Sequence, residues 1–160
     1  MSLTVYSPPV PTYVALGTVT LTGSDAEIEF ASIPQTYRDL VLIGNSVGAS
    51  NGENLTPKIN GSSSDFTWVQ MTSGLVSNTG TNNSIGSMGT GNTFIRLDLF
   101  DYSATDKHKT FITQTRTTAD LRVLAARWAQ TTAITSVSVS IRLGYTFSSG
   151  GTFSLYGIEA

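Results

Sequence analysis

The side chains best suited to acid–base or metal chemistry are few in this sequence and poorly spaced for it. Its one histidine, His108, lies in the run Asp106-Lys107-His108-Lys109, and the charged neighbours predict a solvated turn between strands. The chain has no cysteine, so a zinc site would have to be built around this single imidazole without partners at ligand spacing. We therefore interpret His108 as a surface residue and expect no metal site.

Two pairs of carboxylates lie close together along the chain. Asp98 and Asp101 would point to opposite faces of a strand, so their spacing does not indicate the paired carboxylates of a glycosidase. Glu27 and Glu29 would share a face, but two carboxylates on an exposed strand are usually solvated. The sequence thus favours a protein that is not an enzyme, with no catalytic residues.

Two further patterns could bind small molecules. The glycine-rich run Gly86-Ser87-Met88-Gly89-Thr90-Gly91 lacks the preceding strand and following helix that a nucleotide-binding fingerprint needs, so we interpret it as a loop. Trp68 and Trp128 could stack on sugars, but tryptophan in an alternating strand is more often core or interface. No cofactor is expected.

Composition narrows the choice of class and of partner. At 160 residues one domain is expected, and the net charge of −2 provides no electrostatic footprint for nucleic acid or an anionic membrane. No apolar run approaches the roughly 20 residues of a transmembrane helix, and the first residues lack the pattern of a signal peptide. Charged residues make up 12% of the chain, about half the usual share, which is typical of β-rich proteins and of parts of assemblies.

Alternating apolar and polar residues predict strands over most of residues 13–160. The continuous apolar run Leu40–Ile43 indicates a central strand buried on both faces, and Pro57 indicates an edge strand because proline cannot donate to a ladder. Ser136–Leu143 and Thr152–Ile158 are predicted to form a hairpin, and 73–92 a long irregular loop. We predict an all-β, single-domain, jelly-roll-like β-sandwich of about ten strands.

Residues 1–12 form a separate predicted unit, an extended N-terminal arm. Three prolines stiffen it, and its apolar residues could lie on a neighbouring subunit, although a passive tail is the alternative. The expected interface residues are Val5, Tyr6, Pro8, Pro9 and Val10.

Four segments, in order along the chain, carry a resemblance to a known family. They are Tyr13–Thr22, Phe30–Leu42 (FASIPQTYRDLVL), Trp128–Ser136 (WAQTTAITS) and Gly151–Ile158 (GTFSLYGI). With these segments the chain resembles small virion structural proteins and fibre-like domains of tailed bacteriophages. The matched residues are core and turn residues, so the resemblance implies a fold and a virion context. It implies no binding site.

Within that context, two roles remain open. A capsid decoration (cement) protein would bind the major capsid protein on the head surface of a virion assembled in the host cytoplasm, and would form a homo-oligomer, expected to be a trimer. A tail-fibre or receptor-binding domain would recognise a host surface. Because the chain is one domain with a short arm and no long fibrous module, decoration is the favoured expectation. A free lectin or enzyme is the outside alternative.

Overall fold

The computed structural model describes residues 12–72, 75–81, 84–118 and 120–159, without the side chains of 46 and 75–78. Within these residues, the fold consists of twelve strands and one short 3-10 turn. The strands are β1 (Tyr13–Thr20), β2 (Glu27–Phe30), β3 (Asp39–Val47), β4 (Glu53–Ile59), β5 (Phe66–Thr72), β6 (Leu75–Gly80), β7 (Gly86–Met88), β8 (Thr93–Phe100), β9 (Lys109–Arg116), β10 (Leu121–Trp128), β11 (Val137–Ile141) and β12 (Thr152–Ile158). The turn spans Arg142–Gly144. The predicted all-β class is confirmed.

Strand pairing is nested from the ends of the chain inward. The first strand pairs with the last, β2 with β11, β3 with β8 and β4 with β7, all antiparallel. These eight strands form the sheets β1-β12-β3-β8 and β2-β11-β4-β7. Eight strands nested in this way over two sheets make a jelly roll, as the sequence analysis expected.

Two inserted hairpins widen one of the sheets. The β5–β6 hairpin lies between β4 and β7 in the chain, and the β9–β10 hairpin lies between β8 and β11. Both join the first sheet beyond β8, giving the order β1-β12-β3-β8-β9-β10-β5-β6. We call β9, β10, β5 and β6 the sheet extension. It gives the molecule a broad outer surface that the basic eight-stranded fold would not have.

The hydrophobic core fills the space between the two sheets. Leu40, Val41 and Leu42 of β3 are each at most 2% exposed, so this strand is buried on both faces, as its continuous apolar run predicted. β3 also lies between β12 and β8, well inside its sheet. Residues packed around it from the other sheet include Ile28, Leu55, Ile59, Val137 and Val139.

The predicted C-terminal hairpin is wrong. β11 pairs with β2 and β4 in the four-stranded sheet, whereas β12 pairs with β1 and β3 in the eight-stranded one. The intervening ten residues cross from one sheet to the other, and Leu143, predicted to continue the apolar face, lies in the 3-10 turn with a positive φ and 69% exposure. A long connection fits this crossover because sheet-to-sheet connections must bridge the core.

Two smaller expectations also need correction. β4 is not an edge strand, because it lies between β11 and β7. Proline is accommodated there since β7 pairs only with residues Glu53–Leu55, so Pro57 lies beyond the end of β7. The segment 73–92, expected to be one irregular loop, contains β6 and β7. These two strands lie at the margins of the two sheets, and they were not predicted because the segment is rich in polar residues.

Gly157 is required by the packing of β12. A Cβ atom at this position would lie 2.4–2.7 Å from three ring atoms of Tyr37, far inside normal contact. Since overpacking typically costs about 1–3 kcal/mol, Gly157→Ala is expected to lower the free energy of unfolding by that amount. Gly52→Ala is the matched control, because its Cβ would meet only a carbonyl oxygen of Met88 at 3.6 Å. Urea denaturation of both variants tests this; equal midpoints would contradict it.

Candidate interaction surface

The outward face of the sheet extension carries large apolar side chains. β9 alternates strictly between buried and exposed residues, so every second side chain points away from the core. On this side Ile112 is 38% exposed and Val123 is 37% exposed, while Leu121 reaches 54%. Val69 and Met71 of β5 are exposed by 41% and 44%, and Phe94 of β8 by 41%. We call these six residues the apolar patch.

Strand register places the patch residues next to one another. Val69 lies opposite Ala125, which lies opposite Ile112, and Met71 lies opposite Val123 in the adjacent row. Directly opposed residues on neighbouring strands are about 5 Å apart, so Val69, Ala125 and Ile112 form one apolar row across β5, β10 and β9. The adjacent row is apolar at Met71 and Val123 and ends at the polar Gln114 on β9. Because these strands are fully paired, the patch is a flat surface held by the ladder beneath it.

Arginines flank the apolar rows at both ends. At one end of the patch, Arg116 lies between Phe94 and Leu121 on the neighbouring strands. At the other end, Arg127 lies between Thr67 and Thr110. Both arginines are exposed, and neither forms an ion pair with any described residue. The face therefore has two uncompensated positive charges in a chain whose net charge is −2.

The acidic group nearest the patch is already neutralised. Arg96 donates from both Nε and Nη2 to the carboxylate of Asp98, with a shortest distance of 2.7 Å. These hydrogen bonds raise the pKa of Arg96. Because Asp98 is engaged in this way, it does not offset the charge of Arg116 or Arg127.

The other half of the same sheet is covered by its own side chains. Val41 points outward from β3 yet is only 2% exposed. Arg96 reaches across it to donate to the hydroxyl of Tyr13 at 3.2 Å, and the Tyr13 ring packs edge-on against Tyr156. Among the described residues, no such cover lies over Val69, Ile112 or Val123 of the sheet extension. The candidate interaction surface therefore lies mainly on the extension, with Phe94 of β8 at its margin.

The residues considered as candidate catalytic or metal-binding groups lie apart from one another in the structure. His108 is exposed in the turn before β9, and among the described residues no three acidic or histidine side chains come together as a metal site would require. Glu27 binds Lys58 at 2.6 Å and accepts a hydrogen bond from Ser138. These two interactions lower the pKa of Glu27 and indicate a structural role for it. Val5, Tyr6, Pro8, Pro9 and Val10 lie outside the described residues.

The apolar patch was missed by sequence reasoning. In β10 both alternating sets are apolar, Val123 and Ala125 on one side and Leu124, Ala126 and Trp128 on the other. In a two-layer fold the core covers only one face of such a strand. The second apolar face of β10 was therefore the sequence signal that could have indicated an exposed apolar surface.

No described helix is long and apolar enough to cross a membrane. Comparisons of the chain with models of protein families, with curated proteins and with solved structures found no match.

Proposed function

We propose that this protein is a structural component of a tailed-bacteriophage virion, a decoration protein that binds the major capsid protein on the head surface through its apolar patch. The exposed apolar rows on the sheet extension carry the proposal. The largest contiguous apolar patch on a typical monomer measures about 300–600 Å² and is often a functional surface. The virion context is supported by the sequence resemblance.

The charges on the patch favour a partner other than a second copy. Two such faces meeting would bring four unpaired arginines together, two from each copy, and like charges oppose association. A partner surface with apolar residues and flanking carboxylates would instead pair with Arg116 and Arg127. We therefore expect acidic side chains on the capsid surface that this protein covers.

The size of the patch suits attachment in many copies. Its rows extend over roughly 15 Å across the strands and 20 Å along them, judged from standard strand spacings. This is well below the roughly 800 Å² per partner of a stable standard interface. A single copy would thus bind weakly, but oligomerisation and repetition over a symmetric shell would add such contacts without any catalytic step.

A charge placed in the patch should abolish decoration. Burying one leucine contributes about 1.5–3 kcal/mol, so Leu121→Asp is expected to weaken binding to heads by 10-fold or more. Leu143→Asp is the matched control, because Leu143 is equally apolar and 69% exposed but lies in the 3-10 turn, away from the sheet extension. Both variants should keep the wild-type thermal transition.

The binding measurement is co-sedimentation with emptied heads of the phage whose genome encodes the chain. The proposal predicts that Leu143→Asp sediments with the heads and Leu121→Asp does not. Equal binding by both variants would exclude the patch. A low-resolution map of the intact particle that places the protein on the tail would exclude the decoration role.

A further inference from the structure

A groove runs between the two sheets at the edge farthest from the sheet extension. It has a volume of about 420 Å³ and lies between β1 and β2. Its lining is mixed: Leu16, Val19, Phe30, Ile33 and Leu155 supply apolar surface, and Thr18, Glu29 and Ser32 supply a comparable polar share, with Ala31 at the rim. Leu16 and Val19 are among the few hydrophobic residues that pack on the core while staying partly exposed. The core is therefore left incompletely covered along this edge.

Both strands beside the groove have an open edge. Among the described strands, β1 is at the end of the eight-stranded sheet and pairs with β12 alone, and β2 is at the end of the other sheet and pairs with β11 alone. Among the described residues, no backbone hydrogen bond reaches the free side of either strand. An additional strand can bind at an open sheet edge beside a groove. Main-chain hydrogen bonds then provide affinity, and the side-chain sites of the groove provide specificity.

The chain itself contains a segment with the matching pattern. Residues 2–7 read Ser-Leu-Thr-Val-Tyr-Ser, which places Leu3 and Val5 on one side of a strand and Thr4 and Tyr6 on the other. Six extended residues span about 20 Å, comparable with the length of β1. The apolar side of this segment could contact Leu16, Val19 and Phe30, and its Thr and Ser residues could contact the polar part of the lining.

The groove of a second copy suits residues 2–7 better than the groove of their own copy. The amide of Glu159 donates to the carbonyl of Thr12 at 3.1 Å, so the chain still follows the sheet ladder at Thr12. A return to the groove beside Leu16 would need a reversal within Pro8-Pro9-Val10-Pro11. Two-residue hairpin turns favour Asn-Gly or Asp-Gly, which this stretch lacks, and consecutive prolines favour an extended spacer of about 12 Å.

We propose that residues 2–7 of one copy bind as an added strand in the β1–β2 groove of a second copy. Such a contact joins two different surfaces, so it can close reciprocally in a two-fold dimer or run head-to-tail from copy to copy. Head-to-tail contacts close into rings when the rotation permits, and the trimer expected from the sequence is a ring of this kind. The contact needs no capsid and uses the edge opposite the apolar patch.

Two variants of the full-length chain separate the segment from the groove. Val5→Asp places a charge on the inserting side of the segment. Ala31→Arg fills the groove from an exposed position outside the strands, so it should leave the fold intact. Ala15→Arg is the matched control, since Ala15 is an equally exposed alanine on β1 that does not line the groove.

Sedimentation velocity of the purified proteins gives the readout. Wild type and Ala15→Arg should be oligomers, and Val5→Asp and Ala31→Arg should each be monomers with unchanged circular dichroism. An equimolar mixture of the two monomeric variants should form a dimer and nothing larger. In that dimer the intact segment of the Ala31→Arg copy would occupy the intact groove of the Val5→Asp copy.

Several outcomes would overturn the exchange. A monomeric wild type, a mixture that stays monomeric, or variants that keep the wild-type oligomer would each do so. Monomeric variants with lowered melting temperatures, together with a monomeric wild type, would show that the segment fills its own groove. Binding to heads is measured separately. If Val5→Asp abolishes the wild-type oligomer but the wild-type oligomer does not bind heads, the decoration role is rejected and the exchange stands.

Discussion

Val139→Asp is expected to prevent the chain from folding. Val139 is 1% exposed and lies in the middle of β11, opposite Ile28 on one side and Pro57 on the other. A carboxylate there would be buried among apolar side chains without a cationic partner, at a cost of several kcal/mol. Losing the valine packing adds to that cost, and domains of this size have only about 5–15 kcal/mol of stability in total.

Val123→Asp provides the comparison, because it is the same substitution in another strand. Val123 is 37% exposed on the outer face, so its carboxylate would stay hydrated and the fold should survive. Soluble yield and circular dichroism distinguish the two variants. A soluble Val139→Asp protein that melts near the wild-type temperature would show that the four-stranded sheet does not pack as described.

Lys109→Met is expected to cause the second largest loss of stability. Lys109 is fully buried at the start of β9, and its Nζ donates to the carbonyl oxygens of Ala104, Thr131 and Lys107 at 2.6, 3.0 and 3.0 Å. Burial lowers the pKa of the Lys109 ammonium, but three acceptors satisfy all of its donors. The interaction ties the turn before β9 to the loop after β10.

Methionine has nearly the same length but no donor, so the three carbonyl groups would lose their partner together. At about 1–3 kcal/mol for each buried polar group left unsatisfied, we expect a loss of roughly 3–5 kcal/mol, allowing for some access of water. Lys107→Met is the control, since its side chain is 51% exposed and its 3.3 Å pair with Asp101 should contribute less than about 1 kcal/mol. Urea unfolding with equal loss for both would contradict this role of Lys109.

The identity of most strands could be predicted from sequence because alternation reports the environment of a single strand. Ile95, Leu97 and Leu99 of β8 alternate with charged residues in the sequence and are buried in the structure, and the apolar run at Leu40 lies at the sheet centre. Alternation does not report the neighbour of a strand. β11 and β12 are consecutive, so the simplest prediction paired them, whereas the core required one of them in each sheet.

The apolar patch could not be predicted either, because alternation does not show which face of a strand is covered. Val123 and Leu124 look alike in sequence, yet Leu124 is 1% exposed and Val123 is 37% exposed, because only one of them faces the other sheet. Deciding which face is covered needs the width of both sheets. The two inserted hairpins make one sheet four strands wider than the other, and no local pattern reveals that difference.

The nested pairing has a consequence for how the protein is made. β12 follows every other described strand in the chain, yet it lies between β1 and β3, so the ladder of the eight-stranded sheet stays interrupted until Ile158 has been made. Until then β1 and β3 each lack a partner on the side that β12 will fill, and such non-local pairing is slow. We therefore expect the domain to complete its fold only after residues up to Ile158 have left the ribosome. A nascent chain that stops before Thr152 would be a target for chaperones and proteases.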